Sequence, residues 1–284
     1  MRRLIPASVA AIVVAGLLVV GLSGCGSDDT TPTGSIGNSN DPEYIVVNNQ
    51  VDDFVDSSLA MLGQGLGSIT KLAADDQIDP AQYIVVPGGS GDANSSYDQV
   101  TGWHTVWGTV EGTGATVTVL DSIQFRNGAG AFQQTVTDLA SLTFKHVWSY
   151  DATDTAVTHT NYDGTSSFVY SNINTDQTTV SGSNNLQANV KIVAADSTVW
   201  RDLTIDGTFT GIQINKTGSG WAQSCPVSGS LAGSVDMSYK KGTADSVLST
   251  WTLSLSIANG VFSSSIKSGN TTWNNAGNLC TPVL

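Results

Sequence analysis

The sequence predicts a mainly β fold: a large antiparallel up-and-down meander, forming a curved sheet or an open half-barrel, with one N-terminal helix packed on it. Three observations lead there. Segments rich in β-branched and aromatic residues recur from about residue 115 onward, separated by turn signals. Charged residues make up 12% of the chain, about half the ~25% usual for soluble domains, and Ser, Thr, Asn and Gly take their place, as suits strand faces and turns. Finally, one stretch alone carries a helical apolar stripe.

That stripe is Val51, Val55, Leu59, Leu62, Leu66, Ile69 and Ala73, at steps of three and four. Asn48 or Asn49 offers an N-cap, and Asp52 and Asp53 fall in the first turn, where the helix dipole favours acids. Gly63, Gly65 and Gly67 each weaken a helix interior by up to about 1 kcal/mol. Gly63 and Gly67 share a face and would let the helix press onto a sheet; a helix ending near Leu62 is the alternative. The triplet has neither the spacing nor the preceding strand of a dinucleotide-binding turn.

Residues 75–98 are acidic and rich in Pro, Gly and Ser, with Tyr83–Val86 as a short strand. Strands are predicted over 115–125, 141–150, 166–170, 186–193, 199–214, 231–239 and 247–257. Asn127-Gly128, Asp163-Gly164 and Asn259-Gly260 read as turns between them, the last joining 253–257 to 261–266 in a two-residue hairpin. Short turns between successive strands make a meander, whose apolar face the single helix must cover.

The N-terminus carries an address. Arg2 and Arg3 precede an apolar run from Val9 to Val20 that ends on small residues, the three parts of a secretory signal. The run is short for a membrane span, which needs about 20 apolar residues. Leu22-Ser23-Gly24-Cys25 resembles the lipobox of bacterial lipoproteins. The resemblance implies cleavage before Cys25, a diacylglycerol on its thiol, an acylated new amine, and a membrane held through those chains. The alternative is an ordinary signal peptide with a chance cysteine. The implied organisation is a signal peptide at 1–24, a flexible tether at 25–41 and a single β-rich domain at 42–284. Gly26, where an aspartate would signal inner-membrane retention in enteric bacteria, favours the outer membrane of a two-membrane cell, on either its periplasmic or its surface face. Ser27-Asp28-Asp29 resembles the acidic run of some surface-exported lipoproteins, or is a solvated linker.

Loss of the signal removes two of 11 basic residues against 24 acidic ones, so the net charge falls from −13 to near −15. Such a field repels phosphate backbones, and nucleic acid is excluded as a partner class. With Cys25 consumed by lipid, Cys225 and Cys280 remain, and an exported chain pairs two cysteines most simply as one disulfide.

The sequence contains no nucleophile elbow, zinc-protease, phosphate-loop or EF-hand spacing, and no enzyme, cofactor or metal is predicted. Candidate residues come from alternation instead. Val117, Val119, Asp121, Ile123 and Phe125 form one face, with Asp121 in its middle; Val199, Arg201, Leu203 and Ile205 place Arg201 in the same way. His146 lies among Leu142, Phe144, Trp148 and Tyr150. A charge among apolar neighbours needs a partner. Asp121 and Arg201 either pair with each other inside the sheet or line a cavity that holds a ligand headgroup. Trp103 and Trp107 fall on one side of a strand, with His104 opposite, and are either core or a platform for stacking sugar rings.

These readings converge on a non-enzymatic envelope lipoprotein that binds an apolar or amphipathic ligand in a concave sheet. In element order it resembles the open, helix-plugged half-barrels of bacterial lipoprotein carriers. The alternative is a surface module that binds glycans or a protein partner through exposed tryptophans.

Overall fold

Asp41 starts the helix. Its Oδ1 accepts the backbone N–H of Glu43 at 2.9 Å and of Tyr44 at 3.2 Å, satisfying two donors that the first turn leaves open. Helix α1 then runs Pro42–Asp75 with Glu43 in its first turn. The cap is thus Asp41 rather than Asn48 or Asn49, which lie inside the helix: the polar cap and Tyr44 and Val47, both buried, extend the pattern about two turns upstream. The glycines do not end the helix near Leu62. The computed structural model describes residues 35–75, 90–112, 114–155, 158–194, 197–216 and 226–278. The proposed strand at Tyr83–Val86 lies outside them.

The strands form one sheet. In chain order they are β1 (Ser35–Ile36), β2 (Ser90–Asp98), β3 (Trp103–Gly112), β4 (Ala115–Asn127), β5 (Phe132–Gln133), β6 (Leu139–Thr155), β7 (Thr158–Ser171), β8 (Gln177–Ala194), β9 (Ser197–Asn215), β10 (Pro226–Lys241), β11 (Val247–Ala258), β12 (Val261–Ser268) and β13 (Thr271–Asn278). Their spatial order is β1-β13-β12-β11-β10-β9-β8-β7-β6-β4-β3-β2, with the short β5 set against β4. Every pairing is antiparallel except β1 with β13. The sheet is an up-and-down meander that does not close. Ser35 and Ile36 pair with Thr271 and Thr272, so the end of the predicted tether is part of the sheet.

Two of the three turn readings hold. Asn127-Gly128 leaves β4, and Asn259-Gly260 joins β11 to β12 with both residues at positive φ, 54° and 76°, as a type I′ turn requires. Asp163-Gly164 is no turn. It lies inside β7, where Gly164 pairs with Trp148 and Leu186, and the Trp148 indole occupies the space a side chain would fill. A bare Cα admits the indole there, so the glycine serves packing rather than chain reversal.

Helix α1 covers the apolar face. Tyr44, Val47, Val51, Phe54, Met61, Leu62 and Leu66 are buried together with Val119, Ile123, Phe144, Phe168, Ile205, Val235 and Leu253 of the sheet. Seven such side chains contribute roughly 10–20 kcal/mol of gross burial free energy, before conformational entropy is subtracted. The helix crosses the strands obliquely. At its start Tyr44 stacks on Trp273 at 4.9 Å, and Asn275 donates to Tyr44 Oη and Asn48 Oδ1. At midlength Phe54 meets the backbone of Gly207, and further on the Tyr170 hydroxyl donates to the Leu62 carbonyl at 3.1 Å.

The close approach uses Gly65, not Gly63. A Cβ on Gly65 would overlap the Tyr170 hydroxyl, whereas Gly63 is exposed with open space around it. Gly63→Ala should therefore stabilise the protein by about 0.5–1 kcal/mol. Gly65→Ala should destabilise it by about 1–3 kcal/mol through overpacking against a buried tyrosine. Chemical denaturation of both variants checks this; equal responses would show that the helix is not seated on Tyr170.

Candidate functional site

Alternation brings a row of polar side chains onto the buried face. Asp121 of β4 faces His146 of β6, His146 faces Ser166 of β7, and Ser166 faces Asn184 of β8. Asp121 is fully buried and His146 and Ser166 are 1% exposed. His146 Nδ1 is bonded to Asp121 Oδ1 as a buried ion pair or charge-assisted hydrogen bond. The Ser166 hydroxyl lies 2.8 Å from Asn184 Oδ1 and 2.9 Å from Met61 Sδ. Asn184 Nδ2 donates to Ser58 Oγ at 2.7 Å, which donates to the Phe54 carbonyl at 2.6 Å. One row of polar side chains thus runs across the sheet, and its Ser166–Asn184–Ser58 part is hydrogen-bonded into the helix.

Asp, His and Ser in one row are the residue types of an acyl-transfer relay, yet the geometry here is structural. The serine proton is given to Asn184 or Met61, His146 Nε2 has no hydrogen-bond partner among the described residues, and no side chain in the row reaches solvent. Ser166, Asn184 and Ser58 were not among the residues picked from sequence. Ser166 was legible, since it alternates with Phe168 and Tyr170 on the buried parity of β7; Asn184 shares the parity of Val180, Ala188 and Val190 but precedes the strand predicted from residue 186.

The proposed Asp121–Arg201 pair does not form. Arg201 is on β9, four strands from β4, which at ~4.8 Å per strand is about 19 Å. The partner of Asp121 is the residue directly opposite it, His146. Arg201 sits instead in a small pocket of about 20 Å³ at the helix N-terminal half, lined by Val46, Gln50, Tyr162, Ala188, Val190 and Leu203. That is room for one water. Burial lowers the guanidinium pKa, and the Tyr239 and Tyr162 hydroxyls nearby oppose the shift. Arginine stays charged through such a shift. No carboxylate lies within ion-pair distance of it among the described residues.

Trp103 and Trp107 share the outer face of β3, with His104 buried behind them against Phe125. They do not form an open pair. Lys145 Nζ lies 4.9 Å from the Trp103 ring, while Trp107 is 39% exposed and continues into Leu120 of β4 and Val147 of β6 across the register. On the same side of β10–β13 an open trough of about 730 Å³ is lined by Ser, Ala, Leu and Asn, without a charged or aromatic side chain. Burial lowers the His104 pKa. No group of three His, Cys, Asp or Glu side chains suited to a metal occurs among the described residues. Cys25, Cys225 and Cys280 lie outside the described residues.

No protein family, curated protein or solved structure gives a match to the chain, so the geometry alone carries the argument about function.

The Asp121–His146 pair is expected to behave as a structural unit. Asp121→Leu or His146→Leu alone should cost about 3–5 kcal/mol by stranding a buried partner, and the double change should recover much of it. Arg201→Leu should be additive with Asp121→Leu to within about 0.5 kcal/mol. A double-mutant cycle by urea denaturation reads both; coupling of Asp121 to Arg201 would contradict the register.

Proposed function

We propose that the protein is a non-enzymatic, lipid-anchored component of the cell envelope that binds an amphipathic ligand where helix α1 meets β7–β9. The observation that carries the reading is Arg201. A half-buried guanidinium in an apolar wall, with no carboxylate partner among the described residues, is suited to an anionic headgroup whose tail follows the apolar face. The pocket holds only a water as it stands, so binding requires Val46 and Gln50 on the helix to move aside. A ligand of this kind would replace helix–sheet contacts with tail–sheet contacts of the same apolar character. The lipid anchor on Cys25, read from the lipobox, supplies the localisation: the outer membrane of a two-membrane cell, on its periplasmic or surface side.

The second reading, a surface module for a glycan or protein partner, is favoured by the exposed row Trp107, Leu120 and Val147. Three adjacent apolar side chains on a solvent face otherwise dominated by Ser, Thr and Asn are unusual enough to bind something flat.

Native mass spectrometry of protein purified from its own membrane should find a bound lipid or fatty acid. With lysophosphatidic acid as probe, the wild-type melting temperature should rise, and Arg201→Gln should abolish the rise while leaving the ligand-free melting temperature within a few degrees. An unchanged rise in Arg201→Gln would defeat the site. Separately, Cys25→Ala should release a processed chain from membranes, since two or three acyl chains anchor far better than none.

A further inference from the structure

The antiparallel order gives the sheet two ends, and one of them differs from the rest of the molecule. At this end β8 turns into β9 and β10 into β11. Trp200 on β9 is flanked in register by Lys191 on β8 and Lys240 on β10, all on the outer face, and Lys191 Nζ lies 5.1 Å from the Trp200 ring. Lys241 follows Lys240. Around this triplet stand three of the larger exposed apolar side chains: Leu248 at 71%, Val247 at 64% and Val193 at 37% exposure. In a chain with nine basic residues after Cys25, three of them meet here. The acids near them are Asp202, one outer row away on β9, with Asp151 and Glu111 farther along that row, Asp245 in the β10–β11 turn, and Asp196, which by sequence falls between β8 and β9.

The chain also enters the fold at this end. β1 runs parallel to β13, whose first residues, Thr271 and Thr272, face Ser35 and Ile36. Ser35 therefore lies on the side where β13 begins, which is the side of the β10–β11 turn. Nine residues separate Cys25 from Ser35, a reach of about 30 Å when extended. In register, Ile36 meets Thr272, Thr272 meets Lys267, and Lys267 meets Thr252, so Val247 projects five residues, about 17 Å, beyond that level. An acyl anchor on this tether lets this end of the sheet reach the bilayer.

We propose that the β8–β9 and β10–β11 end is a bilayer-contact surface that seats the domain on the membrane holding Cys25; this rests on the lipid-anchor reading above. Leu248 and Val247 enter the boundary between headgroups and acyl chains, Trp200 sits at the interface with one polar edge, and Lys191, Lys240 and Lys241 lie along the apolar side with their ammonium groups among lipid phosphates.

The test uses processed wild-type protein in phosphatidylcholine–phosphatidylglycerol vesicles whose acyl chains are brominated near the headgroup, with tryptophan quenching as the readout. Quenching should be present, should fall to less than half in Trp200→Phe, and should persist in Trp107→Phe. Val247→Asp with Leu248→Asp should reduce it several-fold with the melting temperature unchanged, since both side chains are exposed. Quenching indifferent to Trp200→Phe, or lost instead in Trp107→Phe, overturns the proposal. Mass analysis and flotation of the same sample report acylation separately. A chain that proves unacylated is mixed with the vesicles at millimolar lipid, where the quenching pattern decides the surface even though the anchor has failed.

Discussion

An open sheet with one apolar face cannot cover itself, and the whole fold depends on helix α1 lying across that face. Barrels solve the problem by closure and sandwiches by a second sheet. Here β1 and β2 end the sheet without meeting, and a single helix spans the strands from β13 to β7. That makes the helix seat demanding. Phe54 needs the bare backbone of Gly207, and Tyr170 needs the bare backbone of Gly65. Each contact joins an aromatic ring to a glycine on the opposite layer, so the two layers interlock in both directions.

The polar row from Asp121 to Ser58 follows from the same constraint. A helix laid on apolar strands could slide or rotate with little penalty if every contact were aliphatic. Asn184 and Ser166 are the sheet atoms that meet Ser58 and Met61 of the helix. A slip of one residue would leave these buried groups unpaired, at about 1–3 kcal/mol each. The Asp121–His146 end of the row lies on β4 and β6, where the two side chains bond each other across neighbouring strands. The row thus fixes register twice, once between strands and once between layers.

Legibility in the sequence tracked how local each signal was. The meander, its longer strands and the Asn259-Gly260 hairpin follow from alternation and turn chemistry a few residues long, and all appear in the structure. The helix was visible from its stripe, but its first turn was missed because Tyr44 and Val47 are separated from the stripe by Asn48 and Asn49. β2 and β13 were missed because Ser, Gly, Asn and Asp dominate them; they are strands only because a neighbour offers a ladder. Asp163-Gly164 has turn composition, and a tryptophan from the adjacent strand overrides it. The candidate pairing failed for a related reason. Period two tells which face Asp121 and Arg201 occupy, and both do lie on the buried side, but the distance between them depends on strand order, which no window of sequence contains.

That distance is what separates the two charged features. Asp121 and His146 bond each other on the buried face of β4 and β6, with 0% and 1% exposure. Arg201 sits near the start of the helix, beside residues that are only half-buried, with tyrosine hydroxyls as its polar neighbours. In the pair each charge has its counter-charge, whereas a half-buried cation beside neutral hydroxyls retains unmet electrostatic demand. Desolvation without a counter-charge is tolerated in a fold when something supplies that charge part of the time, and an anionic headgroup entering beside α1 would do so. The location also fits mechanically: Val46 and Gln50 belong to the helix N-terminal half, which β13 holds by the Tyr44–Trp273 stack while leaving the β7–β9 side lined by single side chains. The polar row farther along the helix keeps the rest of the seat in register.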